Sequence, residues 1–261
     1  MIFVLFDSHC HLDLYQYDEI AQIVSRCRCL SINFLHTIAV CLENHDALVK
    51  ICNSNPGVYC SVGVHPNNVL ENKSNLFDQI IKLASDKCVI SIGETGLDYH
   101  YNKTPKLDQH EAFISHIKAA KCLGLPLVVH SRNAEEDTIS ILESEIKNYE
   151  IPVILHSFAS SDLLFEAALK NDWYVSFSGI VTFKNAKHVA DIAKKVPNNR
   201  ILVETDAPYL APVPKRGKTN YPDFILYTID FLKKLRLQQN LDEIMMQNFF
   251  RVFSKIPRVN L

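Results

Sequence analysis

Short apolar runs recur along the chain, each followed by a longer stretch in which apolar residues return every three or four positions. The runs at 3–6, 34–40, 58–64, 89–92, 126–129, 153–155, 174–177 and 201–203 read as eight strands. The stretches between them carry helical spacing. One is marked at its start: Thr104 offers a cap, Pro105 suits the first helical position, and Phe113, Ile117 and Ala120 fall on one face. Another begins near 186 and stops before Pro197. After the eighth strand come a polar loop, a helix over 224–235 and a last amphipathic helix over 242–253. Strands alternating with helices predict a parallel sheet, and eight such units predict a closed α/β barrel of the TIM type, (β/α)8. An open doubly wound sheet is the alternative; it ordinarily uses fewer strands, and the chain has no glycine-rich dinucleotide turn.

Composition narrows this further. The chain has 261 residues, of which 48% are hydrophobic and 21% charged, enough apolar material for one core. No linker, low-complexity tract or long charge run divides it, so residues 1–261 are expected to form a single domain. The opening apolar run has no basic segment before it and stops at Asp7, too short for a signal peptide. No stretch approaches the roughly 20 apolar residues of a membrane span. A cytoplasmic protein is expected, with no membrane association and no obligate protein partner. The eight cysteines are scattered from Cys10 to Cys122 and include no C-x-x-C pair; the single C-x-C, Cys27 and Cys29, reads as helix packing, and the thiols are expected to be reduced. A net charge of −2 implies no general grip on nucleic acid, so a polyanionic substrate would have to be held locally.

In such a barrel the active site lies at the carboxyl ends of the strands. The first strand runs into His9 and His11, the third into His65, and the fourth into Glu94. The fifth runs into His130 and Arg132, the sixth into His156, and the eighth into Glu204 and Asp206. One histidine at a strand end is commonly an ordinary rim residue. Imidazoles and carboxylates at the same end of six strands are a different matter, because unpaired polar groups converging there are costly and a bound cation satisfies them together. In an extended chain His9 and His11 point to one side, so H-x-H aims two imidazoles at one ion. Imidazole and carboxylate suit zinc, manganese and related ions, and a carboxylate-rich subset suits magnesium.

Six candidate ligands exceed one tetrahedral site. The expected division is His9, His11 and Asp206 on a first ion and His130 and His156 on a second, with Glu94 bridging. Two ions roughly 3.5–4 Å apart can hold a hydroxide and polarise a phosphoryl or carbonyl oxygen.

The blocks DSHCHLD, GVHP, IGETGLDY, VVHSR, LHSF, VSFSGIVTFKN, VETDAPYL and RGKTN run almost end to end, and in this order the chain resembles the TatD family of metal-dependent hydrolases, within the amidohydrolase superfamily. The pairing of GETGLDY with ETDAPYL is the specific part. The resemblance implies a deoxyribonuclease, 3′ to 5′ exonuclease-like, that uses two divalent ions (magnesium, manganese or zinc) and takes DNA as partner, single-stranded or at 3′ ends. The sequence departs from the family pattern at Asn67, at Ala159-Ser160-Ser161 and at Gln247-Asn248-Phe249, none of them a proposed ligand.

The expected reaction is phosphodiester hydrolysis, with Asp206 and Glu94 as its catalytic residues. Asp206 serves as ligand and as the group that takes the water's proton. Glu204 stands behind an imidazole, His11 or His9, and orients it. His65 and Arg132 hold the phosphate, while Lys184, Arg216 and Lys218 in the loops after the seventh and eighth strands line a groove for single-stranded DNA. The alternative is an amide or ester hydrolase such as an aminoacyl-tRNA deacylase. Many amidohydrolases bridge their ions with a carboxylated lysine near the end of the fourth strand; Glu94 stands there instead and favours the phosphodiesterase.

Overall fold

The computed structural model describes residues 4–71, 75–101, 103–147 and 149–257. Eight strands, β1 (Leu5–Cys10), β2 (Ile32–Thr37), β3 (Val58–Val62), β4 (Val89–Asp98), β5 (Leu127–Arg132), β6 (Val153–Leu155), β7 (Tyr174–Phe177) and β8 (Ile201–Val203), form one parallel sheet in sequence order. Between and after them lie α1 (Tyr17–Cys29), α2 (His45–Ser54), α3 (Leu76–Leu83), α4 (Lys106–Leu123), α5 (Glu135–Ile146), α6 (Asp162–Lys170), α7 (Lys187–Lys195), α8 (Ile225–Arg236) and α9 (Leu241–Val252). This is the TIM-type barrel the strand–helix alternation predicts, built as a single domain. No described helix is long and apolar enough to cross a membrane.

The barrel closes where β8 meets β1. The amide of Asp206 donates to the His9 carbonyl at 2.9 Å, and the amide of His11 donates to the Ala207 carbonyl at 2.7 Å. The buried Asp7 carboxylate accepts from the Thr205 amide at 2.9 Å and from its hydroxyl at 2.5 Å, and the Ser8 hydroxyl donates to the Val203 carbonyl at 2.8 Å. At the opposite end α9 covers the strand starts. Phe249 stacks on Phe6 with ring centroids 4.3 Å apart, and the Asn248 amide donates to the carbonyl of Ile201. Asn248, two residues after the position where the family usually has a Thr, is therefore a structural residue.

Three expectations about elements need correction. The first strand runs to Cys10, so His9 sits within it; Phe3, where it was expected to begin, lies outside the described residues. The fourth, expected to stop at Ile92, continues to Asp98, pairing with β5 again from Thr95 after a register shift. The glycines beyond Ile92 act as spacers. Gly93 and Gly96 adopt φ of +133° and +131°, and an added Cβ would lie 2.5 Å from the Val128 carbonyl oxygen and 2.0 Å from that of His130. Only glycine lets β4 press this closely on β5 while Glu94 between them turns inward. Thr104 does not cap α4, and its hydroxyl has no hydrogen-bond partner. Gln109 ties the helix start instead, donating to the Thr104 carbonyl at 2.9 Å and accepting from the Asp98 amide at 2.8 Å.

Gly96→Ala should therefore lower stability by about 3 kcal/mol, from overpacking against a backbone carbonyl and an unfavourable φ together. Urea unfolding measures this, and a variant as stable as the parent would contradict the close approach of β4 and β5.

Candidate metal centre

The strands deliver the predicted residues to one place. Glu94, buried at the carboxyl end of the barrel, divides its two oxygens between two groups of imidazoles. Its Oε2 lies 3.4 Å from His9 Nε2. Its Oε1 lies 2.8 Å from His156 Nε2 and 3.0 Å from His130 Nδ1. On the first side His9 Nε2, His11 Nε2 and Asp206 Oδ1 face one another at 3.3 to 3.5 Å. On the second, His130 Nδ1 and His156 Nε2 are 3.2 Å apart. The geometry therefore brings together the two predicted groups, with Glu94 between them.

Outer partners turn the rings. His11 Nδ1 donates to the Ile38 carbonyl at 3.2 Å, which leaves Nε2 facing Asp206. His130 Nε2 is held by Asp98 Oδ2 at 3.2 Å, and His156 Nδ1 by Glu204 Oε1 at 3.3 Å. In each case the second nitrogen faces inward, the arrangement by which metal-binding imidazoles are fixed in tautomer and orientation. His65 is set the other way. Its Nδ1 accepts the Asn67 amide proton at 3.1 Å, so in the neutral ring Nε2 carries hydrogen and points at Glu94 Oε1, 3.6 Å away. Such a ring offers a donor rather than a lone pair, which separates His65 from the ligand group. Two further histidines are structural. His36 bridges the Ser8 carbonyl and the Ser91 hydroxyl inside the barrel, and burial pushes its pKa down to about 3. His116 accepts from the Val64 amide and donates to the Ala112 carbonyl.

The residues suit divalent cations on the chemistry of their donors. Imidazole nitrogens face each other at hydrogen-bond distance in both groups, beside carboxylate oxygens, an arrangement a cation between them satisfies. The electrostatics lean the same way. Burial works against ionised Glu94, yet the His156 charge and hydrogen bonds from His130 and His156 outweigh it and hold the carboxyl well below its ordinary value. Burial also opposes ionised Asp206, and His11 and His9 overcome it, lowering the pKa. His11 is pushed up to about 9 despite burial, by its hydrogen bond to Asp206. His156 likewise rises well above its ordinary value through Glu94 and Glu204. The carboxylates thus demand positive charge at the centre of the cluster.

One expectation about a supporting residue changes. Glu204 orients His156, not His11 or His9, because β6 and not β1 brings an imidazole to its Oε1; the same oxygen accepts the Ser157 amide at 2.8 Å. Lys184 and Arg216 are exposed in the loops after β7 and β8, and the Arg216 guanidinium lies over the Phe183 ring at 4.2 Å. Arg132 lines, together with His130, His156 and Asp206, a cavity of about 550 Å³. Sequence reasoning missed Asp98, Tyr101 and Tyr209. Asp98 stands four residues after Glu94 in an extended strand, so the period-two rule places both on one face. It is propped in turn by Asn67, whose side-chain amide donates to it at 3.3 Å. Ser160, another departure from the family pattern, donates to Glu135 on the cavity wall at 2.6 Å.

The family profile described as TatD related DNase matches residues 6–254. The chain is 41% identical over 236 residues, covering 89% of its length and 88% of the relative, to an uncharacterized metal-dependent hydrolase of Buchnera aphidicola subsp. Baizongia pistaciae. It is 36% identical over 255 residues, 95% of both chains, to the uncharacterized metal-dependent hydrolase YcfH of Escherichia coli K12. Among solved structures the TatD homolog YjjV of Escherichia coli superposes with a TM-score of 0.91 at 22% identity, covering 98% of this chain and all of that one, which speaks for the fold.

Three outcomes are expected. Divalent ions must displace the protons on His11 and His156, so manganese affinity should climb from pH 6.5 to 9, by about tenfold per unit for each proton displaced. The same raised pKa works on stability in the opposite direction without metal. The contribution of His11 is present in full below its unfolded value near 6.5 and is lost as pH rises through about 9. Calorimetry in buffers of differing ionisation enthalpy reads the released protons, and a pH-independent affinity would contradict the assignment. Glu94→Ala should lose one ion or both by elemental analysis, whereas His188→Ala, exposed on α7, should keep full occupancy. Undiminished metal in the Glu94 variant would count directly against a shared carboxylate.

Proposed function

Because the chain belongs to the TatD family of metal-dependent hydrolases, we propose that it hydrolyses phosphodiester bonds, as a deoxyribonuclease that trims single-stranded DNA from its 3′ end. The observation that carries this reading is the company the ligand cluster keeps. The cavity over it is lined by Arg132 and by two tyrosines, Tyr101 and Tyr209, that are 54% and 55% exposed. The Arg132 guanidinium lies 4.8 Å from the centre of the Tyr101 ring. Aromatic faces that stack bases beside a guanidinium that pairs with phosphate are the elements of a single-strand site. They also supply locally the positive charge that the whole chain, at −2, lacks.

Two divalent ions, held by His9, His11 and Asp206 on one side and by His130 and His156 on the other with Glu94 shared, would polarise the phosphoryl oxygen and acidify water. The chain's own groups do the rest. Arg132 grips nonbridging phosphate oxygens, and the Nε2–H of His65, set behind the cavity, faces Glu94 and helps hold its carboxylate in place. Asp206, with a lowered pKa and a carboxylate at the cavity floor, is ionised at neutral pH and takes the proton of the attacking water. Glu204 and Asp98 keep His156 and His130 turned toward the reacting centre. Tyr101 and Tyr209 hold the terminal bases.

End-labelled single-stranded DNA, incubated with the protein and a panel of divalent ions, should release mononucleotides from the 3′ end, and a chelator should stop it. No release with any ion would refute the reading. Asp206→Asn separates ligand from base. If Asp206 moves the proton, saturating manganese should leave a defect of roughly 10² to 10⁴-fold, the usual contribution of a positioned base. Full recovery of rate and pH profile by metal alone would reduce Asp206 to a ligand.

A further inference from the structure

Away from the barrel mouth, the fold brings together three cysteines that are far apart in sequence. Cys52 lies on α2, Cys60 on β3, and Cys88 directly before β4. Their sulfurs all lie within 4.8 Å of one another, and the Cys60 and Cys88 sulfurs are 3.7 Å apart. The backbone fixes two of the three: the Cys60 amide donates to the Cys88 carbonyl at 2.9 Å, so β3 and β4 hold these residues side by side. Cys52 and Cys60 are buried and Cys88 is half-buried. Among the described residues, this is the one group of metal-binding side chains outside the His–carboxylate cluster.

We propose that Cys52, Cys60 and Cys88 form a second, non-catalytic metal site, a three-thiolate pocket for zinc or a similar thiophilic divalent ion, which pins α2 to β3 and β4. The spacing fits. A tetrahedral ion with metal–sulfur bonds of about 2.3 Å holds its sulfurs about 3.8 Å apart. Simple packing asks for small apolar groups and does not require three sulfurs to converge. A disulfide uses two sulfurs and leaves the third without a role. Thiolate is the ligand that favours zinc over magnesium and calcium, so this pocket and the His–carboxylate cluster differ in the ions they select. Binding releases the three thiol protons and leaves a net charge of −1 on the bound group. The half-exposed side of Cys88 admits the ion and leaves a fourth position to water. Lys255, whose ammonium donates to the Val89 carbonyl at 2.9 Å, puts a positive charge one residue from Cys88.

Cobalt(II) is a suitable probe because only thiolate ligands give it an intense near-ultraviolet charge-transfer band; imidazoles and carboxylates do not. The full-length protein, reduced and stripped of metal, should develop this band on cobalt titration and lose it when zinc is added. Cys88→Ser is the informative variant, since a half-exposed position tolerates a hydroxyl, and circular dichroism checks that it folds. The band should disappear in Cys88→Ser while DNA hydrolysis stays at the parental rate. Absence of the band in the folded parent, its persistence in Cys88→Ser, or a Cys60–Cys88 disulfide in its place would each overturn the proposal.

Discussion

The seam between β8 and β1 is the constraint on which the site depends. A parallel barrel must close or leave two edges of unpaired backbone groups. Here closure falls on the same residues that carry the chemistry. The His9 carbonyl receives the Asp206 amide and the Ala207 carbonyl receives the His11 amide, so three inward-facing donors are set by two backbone hydrogen bonds. Each such bond is worth only about 1 kcal/mol of net stability. Their larger effect is on register, because a one-residue slip would turn His9 and His11 to the opposite face. Asp7 locks the seam from below, holding both the amide and the hydroxyl of Thr205, one residue before Asp206. Burial pushes the Asp7 carboxyl up to about 8, against the pull of these hydrogen bonds.

From that seam the electrostatics follow around the barrel. Glu94 reaches the centre because two glycines let β4 lie against β5, and its oxygens then face imidazoles on both sides. Carboxylates behind the rings, Asp98 and Glu204, raise the basicity of the imidazoles they hold. The same field raises the pKa values of His11, His130 and His156 in spite of burial. A site that keeps protons against the cost of burial is one whose carboxylates call for positive charge, and divalent ions are a denser source of it. The fold and the hydrolytic chemistry of the family are two consequences of one arrangement of strand ends.

Much of this was legible in the chain. Eight apolar runs separated by helical spacing define the barrel, and strand-end polar residues define the cluster, because both signals are local and periodic. What was not legible depends on distance in space. Glu204 pairs with His156 because β6 stands nearer to it than β1, a fact of barrel geometry that no spacing encodes. Arg132 reaches the cavity because it ends a strand, whereas Lys184 and Arg216 sit on loops whose course the sequence leaves open. Tyr101 and Tyr209 were overlooked for the same reason. The cysteines read as scattered, and only the pairing of β3 with β4 under α2 draws Cys52, Cys60 and Cys88 together. The long β4 was missed because glycine ordinarily ends a strand, and here it permits one.

The central claim is that Glu94 serves two ions at once. Crystals grown with manganese, and diffraction data collected where manganese scatters anomalously, test it directly. The account predicts two anomalous peaks roughly 3.5–4 Å apart, one beside His9, His11 and Asp206 and one beside His130 and His156, with Glu94 between them. A single peak, or two peaks that do not share Glu94, would contradict it.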